Sequence, residues 1–375
     1  MPPPPRSLPE ELVEEILLRF PPNDPARLVH AALVCKPWRA IVSGAGFRRR
    51  FREFHRTPPL LGFVSNIRIP GENRVAEFVP ICSLPVSKVH SRWRGHVVDA
   101  HHGRILLQII YGPAVLRCPS DLVVWDPTRG VQKRVPFPAA ARYMPGWTAA
   151  VLCAAGGPCD HLDCRRQGPF LIVFVGYGGD PYADDPHSET VLCTYSSSTA
   201  SWSKPMSSNL LPHDDDDDDY MFTHAAHVKN ALYFGVLMTD HILKFDLESQ
   251  EISWIQTPPA TCSSEWPYVL TTTEGGRLGL ATIHDFSKLL MWSRNDVSQV
   301  DATWAQSTVI ELRTLLPVHA VLAWPRLLGF TVGTGVIFVT SSNDVLFMID
   351  LKTYKVIKEL SISKGSNIDT INFLT

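Results

Sequence analysis

No run in this chain approaches the ~20 continuous apolar residues that a membrane-spanning helix needs. The opening Met1-Pro2-Pro3-Pro4-Pro5-Arg6 carries a charge but no apolar stretch, so it does not read as a secretory signal. Cysteine is sparse: eight residues in 375 are too few for a disulfide scaffold, and reduced thiols are expected. A dominant charge is missing as well. Lys and Arg number 35 against 37 Asp and Glu, a formal net charge of -2, so no global field calls for a polyanion. The expectation is a cytoplasmic or nuclear protein with neither a membrane nor a nucleic-acid partner.

Catalytic signatures are also lacking. There is no Gly-x-Ser-x-Gly elbow, Walker loop, dinucleotide fingerprint or His-Glu-x-x-His element. His224, His227, His241, His284 and Asp285 are scattered and show no poised nucleophile or acid–base pair, so neither catalysis nor a cofactor is expected. Gly176-Tyr177-Gly178-Gly179 reads as a hairpin turn rather than a phosphate loop. Cys153, Cys159, His161 and Cys164 are the best metal candidates, but uneven spacing without paired Cys-x-x-Cys knuckles favours ordinary loop residues and no metal. The run Asp214–Asp219 lacks the alternating donors and glycine of a calcium loop and reads as a solvated acidic stretch. Arg48, Arg49, Arg50 and Arg52 lack a base-reading motif and read as a solvated helix face or a link to the next domain.

What is present divides the chain unequally. With 45% apolar and 19% charged residues, a packed interior is expected, split between a helical domain over 1–55 and a β-rich domain over 60–375. Ser7 and Glu10 have capping-box spacing around Pro9. Leu8, Leu12, Val13, Ile16, Leu17 and Phe20 then recur at helical spacing as one apolar stripe, with the glutamates mostly off it, until Pro21-Pro22 stops the helix. Asp24-Pro25 restarts a helix through Val34, Pro37 breaks or kinks it, Trp38–Val42 adds a short turn, and Phe47–Phe54 is amphipathic. So small a head must either cap the next domain or dock onto a partner. Its large aliphatic residues favour the partner.

Leu8-Pro9-Glu10-Glu11-Leu12-Val13-Glu14-Glu15-Ile16-Leu17 resembles the opening of an F-box, and Leu33-Val34-Cys35-Lys36-Pro37-Trp38-Arg39 resembles its second half at the right distance. The chain is similar as a whole to plant F-box proteins with β-rich C-terminal domains. That resemblance implies docking onto the Skp-type adaptor of a cullin–RING ubiquitin ligase. It places Leu8, Pro9, Leu12, Ile16 and Leu17 in or under the adaptor-binding surface, with Val34, Cys35 and Trp38 holding or extending it. Pro37 departs from the pattern.

Beyond residue 60, short apolar runs alternate with Gly, Pro, Asp and Ser. A strand, an acidic turn and a second strand recur at Leu122–Val131, Leu192–Trp202, Ile242–Trp254, Leu289–Trp304 and Leu346–Val356, with a possible earlier unit at Leu61–Val79. Trp202, Trp254, Trp304 and Val356 fall about fifty residues apart, the period of kelch-like propeller blades. A roughly twenty-residue insertion around Ala154–Gly168 accounts for the longer step from Val131 to Trp202. The expected architecture is therefore a small helical F-box followed by a kelch-like β-propeller of five or six blades, closed by a strand from Ile362–Leu374. An irregular pair of β-sandwiches is the structural alternative. The repeated aromatics are expected between blades. The functional expectation is a non-catalytic substrate receptor that binds an adaptor and an unidentified protein target; the alternative is a propeller scaffold unconnected to a ligase.

Overall fold

The computed structural model describes residues 8–22, 25–55, 62–68, 75–80, 92–109, 121–127, 129–141, 144, 146–154, 168–178, 189–208, 221–237, 239–259, 268–273, 275–295, 303–321, 324–331, 335–341, 345–361 and 367–374. The first part is a bundle of four helices, α1 (Glu10–Leu18), α2 (Pro25–Val34), α3 (Lys36–Ser43) and α4 (Ala45–His55). Pro9, extended at φ -52° and ψ 147°, is the N-cap of α1, and its carbonyl accepts from the Leu12 and Val13 N–H groups. Glu10 is thus the first residue of the helix, and Ser7, the other half of the expected capping box, lies outside the described residues. Cys35 is extended between α2 and α3, and Pro37 sits in the first turn of α3. There its missing N–H has no intrahelical partner to lose, so Pro37 opens a helix rather than kinking one. Val13, Leu17, Leu18, Ala31 and Phe47 form the core of the head, with Trp38, Ile41 and Phe51 packed around it. Arg50 of α4 binds Glu14 at 2.8 Å and Glu15 at 2.5 Å, which pins α4 to α1.

The strands form five hydrogen-bonded sheets, the blades of a β-propeller. The largest runs in the order β24 (Asn367–Leu374), β1 (Gly62–Arg68), β2 (Val75–Pro80), β3 (Arg92–His101), β4 (Arg104–Ile109), β5 (Leu122–Asp126) and β6 (Val131–Val135). The second contains β7 (Gly146–Cys153), β8 (Phe170–Gly178), β9 (Glu189–Ser196), β10 (Ser201–Trp202) and β11 (Met206–Ser208). The third holds β12 (Ala226–Val228), β13 (Ala231–Gly235), β14 (His241–Asp246) and β15 (Ile252–Gln256). The fourth holds β16 (Tyr268–Thr272), β17 (Leu278–His284), β18 (Lys288–Asn295) and β19 (Thr303–Glu311). The last comprises β20 (Arg326–Phe330), β21 (Val336–Ser341), β22 (Val345–Asp350) and β23 (Lys355–Ser361).

The seven-stranded blade is folded double. Val64, Ala76 and Phe78 of its first half pack on Ile105, Leu107, Val123 and Trp125 of its second. The early unit at Leu61–Val79 is therefore real but shares a sheet with its neighbour through β3. Face-to-face apolar layers continue around the ring to the layer joining β20–β22 to β1 and β24 through Phe63, Leu328, Phe338 and Ile371. β24 is the closing strand expected from the tail, and it pairs with β1 from Gly62↔Leu374 to Arg68↔Asn367. Among the described strands each blade packs on its neighbours around the ring, whereas a pair of sandwiches would leave its outer faces open.

The repeat maps onto the outermost strands. Val131, Trp202, Trp254, Trp304 and Val356 lie in β6, β10, β15, β19 and β23. The three tryptophans and Val356 each pack into a layer shared with the preceding blade. Two indoles also donate across that boundary, Trp202 Nε1 to Pro136 O at 2.9 Å and Trp304 Nε1 to Gln256 O at 2.8 Å. Gly176 and Gly178 lie within β8, not in a turn. A Cβ at Gly176 would meet Met144 Sδ at 2.7 Å, so the methionine side chain would have to shift to admit one.

The acidic turns have a common mechanism. The Asp246 carboxylate accepts from the Glu248 and Ser249 N–H groups, and Asp350 accepts from Lys352 N–H and the Thr353 hydroxyl. These bonds hold the Asp246 carboxyl below its usual range. One residue then turns left-handed just before the outer strand: Gly130 (φ 69°), Ala200 (φ 52°), Gln250 (φ 58°) and Tyr354 (φ 52°). Only the first is the residue this conformation favours. Tyr354→Gly is expected to raise the melting temperature by roughly 2 °C, about 1 kcal/mol of strain relieved, while Tyr354→Val lowers it. A scanning-calorimetry series in which glycine destabilises at this position would contradict the assignment.

Candidate functional site

Helix α1 is apolar on two faces about a quarter-turn apart. Val13 and Leu17 point into the head's core, while Leu8, Leu12 and Ile16, four residues apart, remain 56%, 51% and 46% exposed. On α2, Leu33 and Val34 are also exposed, at 76% and 66%, and Cys35 beside them is exposed. Fully covering such a side chain is worth about 1.5–3 kcal/mol from full exposure, so covering the exposed halves of these three would contribute roughly half of that each. Arg50 strengthens the arrangement from behind. Its hydrogen bonds to Glu15 and Glu14 raise its pKa above the ordinary arginine value and fix the acidic side of α1 against α4, leaving the aliphatic row outward.

In the propeller, polar side chains gather on the inner strands. Asp99, next to a bulge in β3, accepts from Val151 N–H of β7 at 2.7 Å. Asn66 of β1 bonds both the N–H and the C=O of Val97, at 2.7 and 2.9 Å. His224 Nδ1 lies 2.9 Å from Val98 O, and burial lowers its pKa. His227 Nδ1 lies 3.4 Å from His101 Nε2, and the His101 and His102 rings are 3.9 Å apart. Asp99 and His224 thus tie β3 to other blades, and Asn66 ties the two halves of the doubled blade, all through backbone atoms. His241 is paired with Asp240 at 2.6 Å and His284 with Asp285 at 3.0 Å, both at the opposite end of the ring from the His101–His227 contact. The five polar residues named from sequence are therefore not brought together. Among the described residues, no three His, Cys, Asp or Glu side chains are arranged to hold a metal ion. Cys153 ends β7, whereas Cys159, His161 and Cys164 lie outside the described residues, as does the Asp214–Asp219 run.

The F-box domain model matches residues 6–50. The helical head is an F-box domain. No curated protein sequence matches the chain. Solved structures similar to it include the β-propeller domain of Cps50 (Swd1) from Myceliophteria thermophila, with 12% identity, TM-score 0.39, and coverage of 79% of this chain and 86% of that one. Another is apo AztD from Citrobacter koseri, with 13% identity, TM-score 0.31, and coverage of 80% and 69%. A third is a luciferin-regenerating enzyme, with 10% identity, TM-score 0.42, and coverage of 72% and 76%.

Within the F-box, Leu8, Pro9, Leu12, Ile16, Val34 and Cys35 are exposed, and Trp38 is half-buried against the core. Leu17 is wholly buried, so it holds α1 from beneath and does not reach the surface. Sequence reading missed the exposure of Val29 and Leu33, which share the helical spacing of the core residues. It also missed Asp99 and Asn66, isolated polar residues in a β run whose only signal is their position in an apolar strand pattern.

Asp99 gives the propeller a pH dependence. Burial pushes its carboxyl up to about 7, opposed by hydrogen bonds from the Val151 and Ala100 N–H groups. An unfolded aspartate titrates near ~3.9, so the folded state binds more protons between these values. The group's contribution is complete below about pH 4 and is lost as pH rises through about 7. Asp99→Asn is expected to be near neutral at pH 5 and to gain stability relative to wild type as pH rises to 8. Parallel urea-denaturation curves at both pH values would refute this.

Proposed function

We propose that the chain is the substrate-recognition subunit of an SCF-type cullin–RING ubiquitin ligase. The F-box would engage the Skp-type adaptor, and the propeller, of kelch-like type by its fifty-residue spacing, would hold a target protein. The observation that carries this reading is the outward row of Leu12 and Ile16 on an F-box helix, continued by Leu8 just before it, while the core is already satisfied by Val13, Leu17 and Leu18. Val34, Cys35 and Trp38 extend the contact at the α2–α3 junction, and Pro9 fixes where α1 begins.

In this mechanism the chain performs no covalent step. Docking at one domain and capture at the other place the target beside a ubiquitin-loaded enzyme, and its lysines meet the activated carbonyl at raised effective concentration. The reading implies a cytoplasmic or nuclear location. Resemblance to plant F-box proteins supports a plant-type receptor.

Calorimetric titration of purified chain with a Skp-type adaptor tests the reading. Leu12→Glu and Ile16→Glu are each expected to weaken binding at least tenfold, because a carboxylate would be buried unpaired, while the melting temperature stays unchanged. Leu17→Ala should instead cost about 2–5 kcal/mol of head stability. Absence of adaptor binding by the wild-type chain would favour a propeller scaffold outside any ligase.

A further inference from the structure

At the end of the ring where β3 turns into β4 and β12 into β13, imidazoles from two separate blades meet. His101 ends β3 in the doubled blade, and His102 follows it in the turn. His227 belongs to β12 of the third blade, 126 residues further along the chain. The contact therefore joins two strands whose sheets are separated in chain order by the whole second blade.

The backbone holds these rings in place. His101 pairs with Arg104, so His102 and Gly103 form a two-residue hairpin turn, and both are left-handed, at φ 49° and 71°. Such a turn favours asparagine, aspartate or glycine at its first position. Histidine there sets its ring 3.9 Å from that of His101 and 6.3 Å from that of His227, flanking the pair. On the other side, the Thr272 hydroxyl donates to His227 O at 3.0 Å and ties β12 to β16. Arg104, across the hairpin from His101, commits Nη2 to Gly168 O of the second blade at 2.8 Å.

His227 Nδ1 and His101 Nε2 are 3.4 Å apart, beyond the usual N–H···O range of about 2.7–3.2 Å. Zinc binds imidazole nitrogen at about 2.0–2.1 Å, and a tetrahedral angle at the ion then spaces two such nitrogens by about 3.3–3.4 Å. The observed separation is that bite.

We propose that His101 Nε2 and His227 Nδ1 together ligate a divalent transition-metal ion of the zinc class, which staples the doubled blade to the third. Neutral imidazole suits Zn²⁺ and its late first-row neighbours, whereas Mg²⁺ and Ca²⁺ take oxygen. No third His, Cys, Asp or Glu is arranged with them among the described residues, so the remaining coordination positions fall to water. The ion acts on the fold: by binding the assembled ring and not the unfolded chain, it raises stability by mass action. The site owes nothing to the receptor reading, which engages the other domain.

Thermal melts of the full chain with added ZnCl2, and with MgCl2 as the control, test the proposal. Saturating zinc should raise the wild-type melting temperature by about 3 °C or more, and magnesium should leave it unchanged. His101→Ala and His227→Ala should each abolish the zinc-dependent shift, measured against the same variant's melt in EDTA. Competition with a fluorescent zinc chelator should show affinity weakened about tenfold or more in both. Wild-type crystals soaked in ZnCl2 decide the matter even where an alanine variant fails to fold. An anomalous peak within about 2.2 Å of both nitrogens is expected. Equal zinc binding by wild type and both variants, or anomalous density at other residues only, would overturn the assignment.

Discussion

Each blade is a thin sheet with two apolar faces, and neither face can be left in water. Val124 and Leu122 of β5 look toward Ala149, Ile172 and Phe174 of the next blade, while Val123 and Trp125 of the same strand look back to Val64 and Phe78. Alternation along one five-residue strand thus commits it to two different neighbours. Isolated blades gain little, and stability comes from the completed ring. The layout of the propeller follows from that demand: the inner strands are forced together, the outer strands carry the tryptophans that overlap adjacent blades, and recognition falls to the turns.

The head obeys the opposite logic. Its core needs only part of each helix, and the rest of the aliphatic surface stays outside. In α1, two rows separated by a quarter-turn are apolar, and only one is used internally. A lone soluble helix gains nothing by displaying Leu8, Leu12 and Ile16, so the display is best understood as half of an interface. The ring is self-contained, whereas the bundle leaves part of its aliphatic surface uncovered, which is the contrast the proposed bridging role rests on.

Much of this organisation is readable from residue spacing. The recurring strand–turn–strand units identify the blades because a hydrogen-bonded turn capped by Asp126, Asp246 or Asp350 needs its carboxylate at a fixed step before the outer strand. The aromatic at that strand fixes the phase, since Trp202 and Trp304 must reach the preceding blade. Other features depend on distance in space. Nothing local distinguishes Leu17, which is buried, from Ile16, which is not, because a wide apolar stripe does not reveal where the core ends and a partner begins. The sharing of β3 by both halves of one sheet is equally invisible, as is the meeting of Arg104 and Phe170, sixty-six residues apart, where the Arg104 Cζ lies 5.6 Å from the Phe170 ring centre.

The central claim is that the unshared apolar row of the F-box is a docking surface, while the propeller stays free for another protein. Hydrogen–deuterium exchange of the full chain with and without a Skp-type adaptor tests it most directly. Protection is expected in α1 and at the α2–α3 junction, with exchange in the propeller strands and turns unchanged. Protection concentrated in the propeller, or none in α1 at saturating adaptor, would contradict the account.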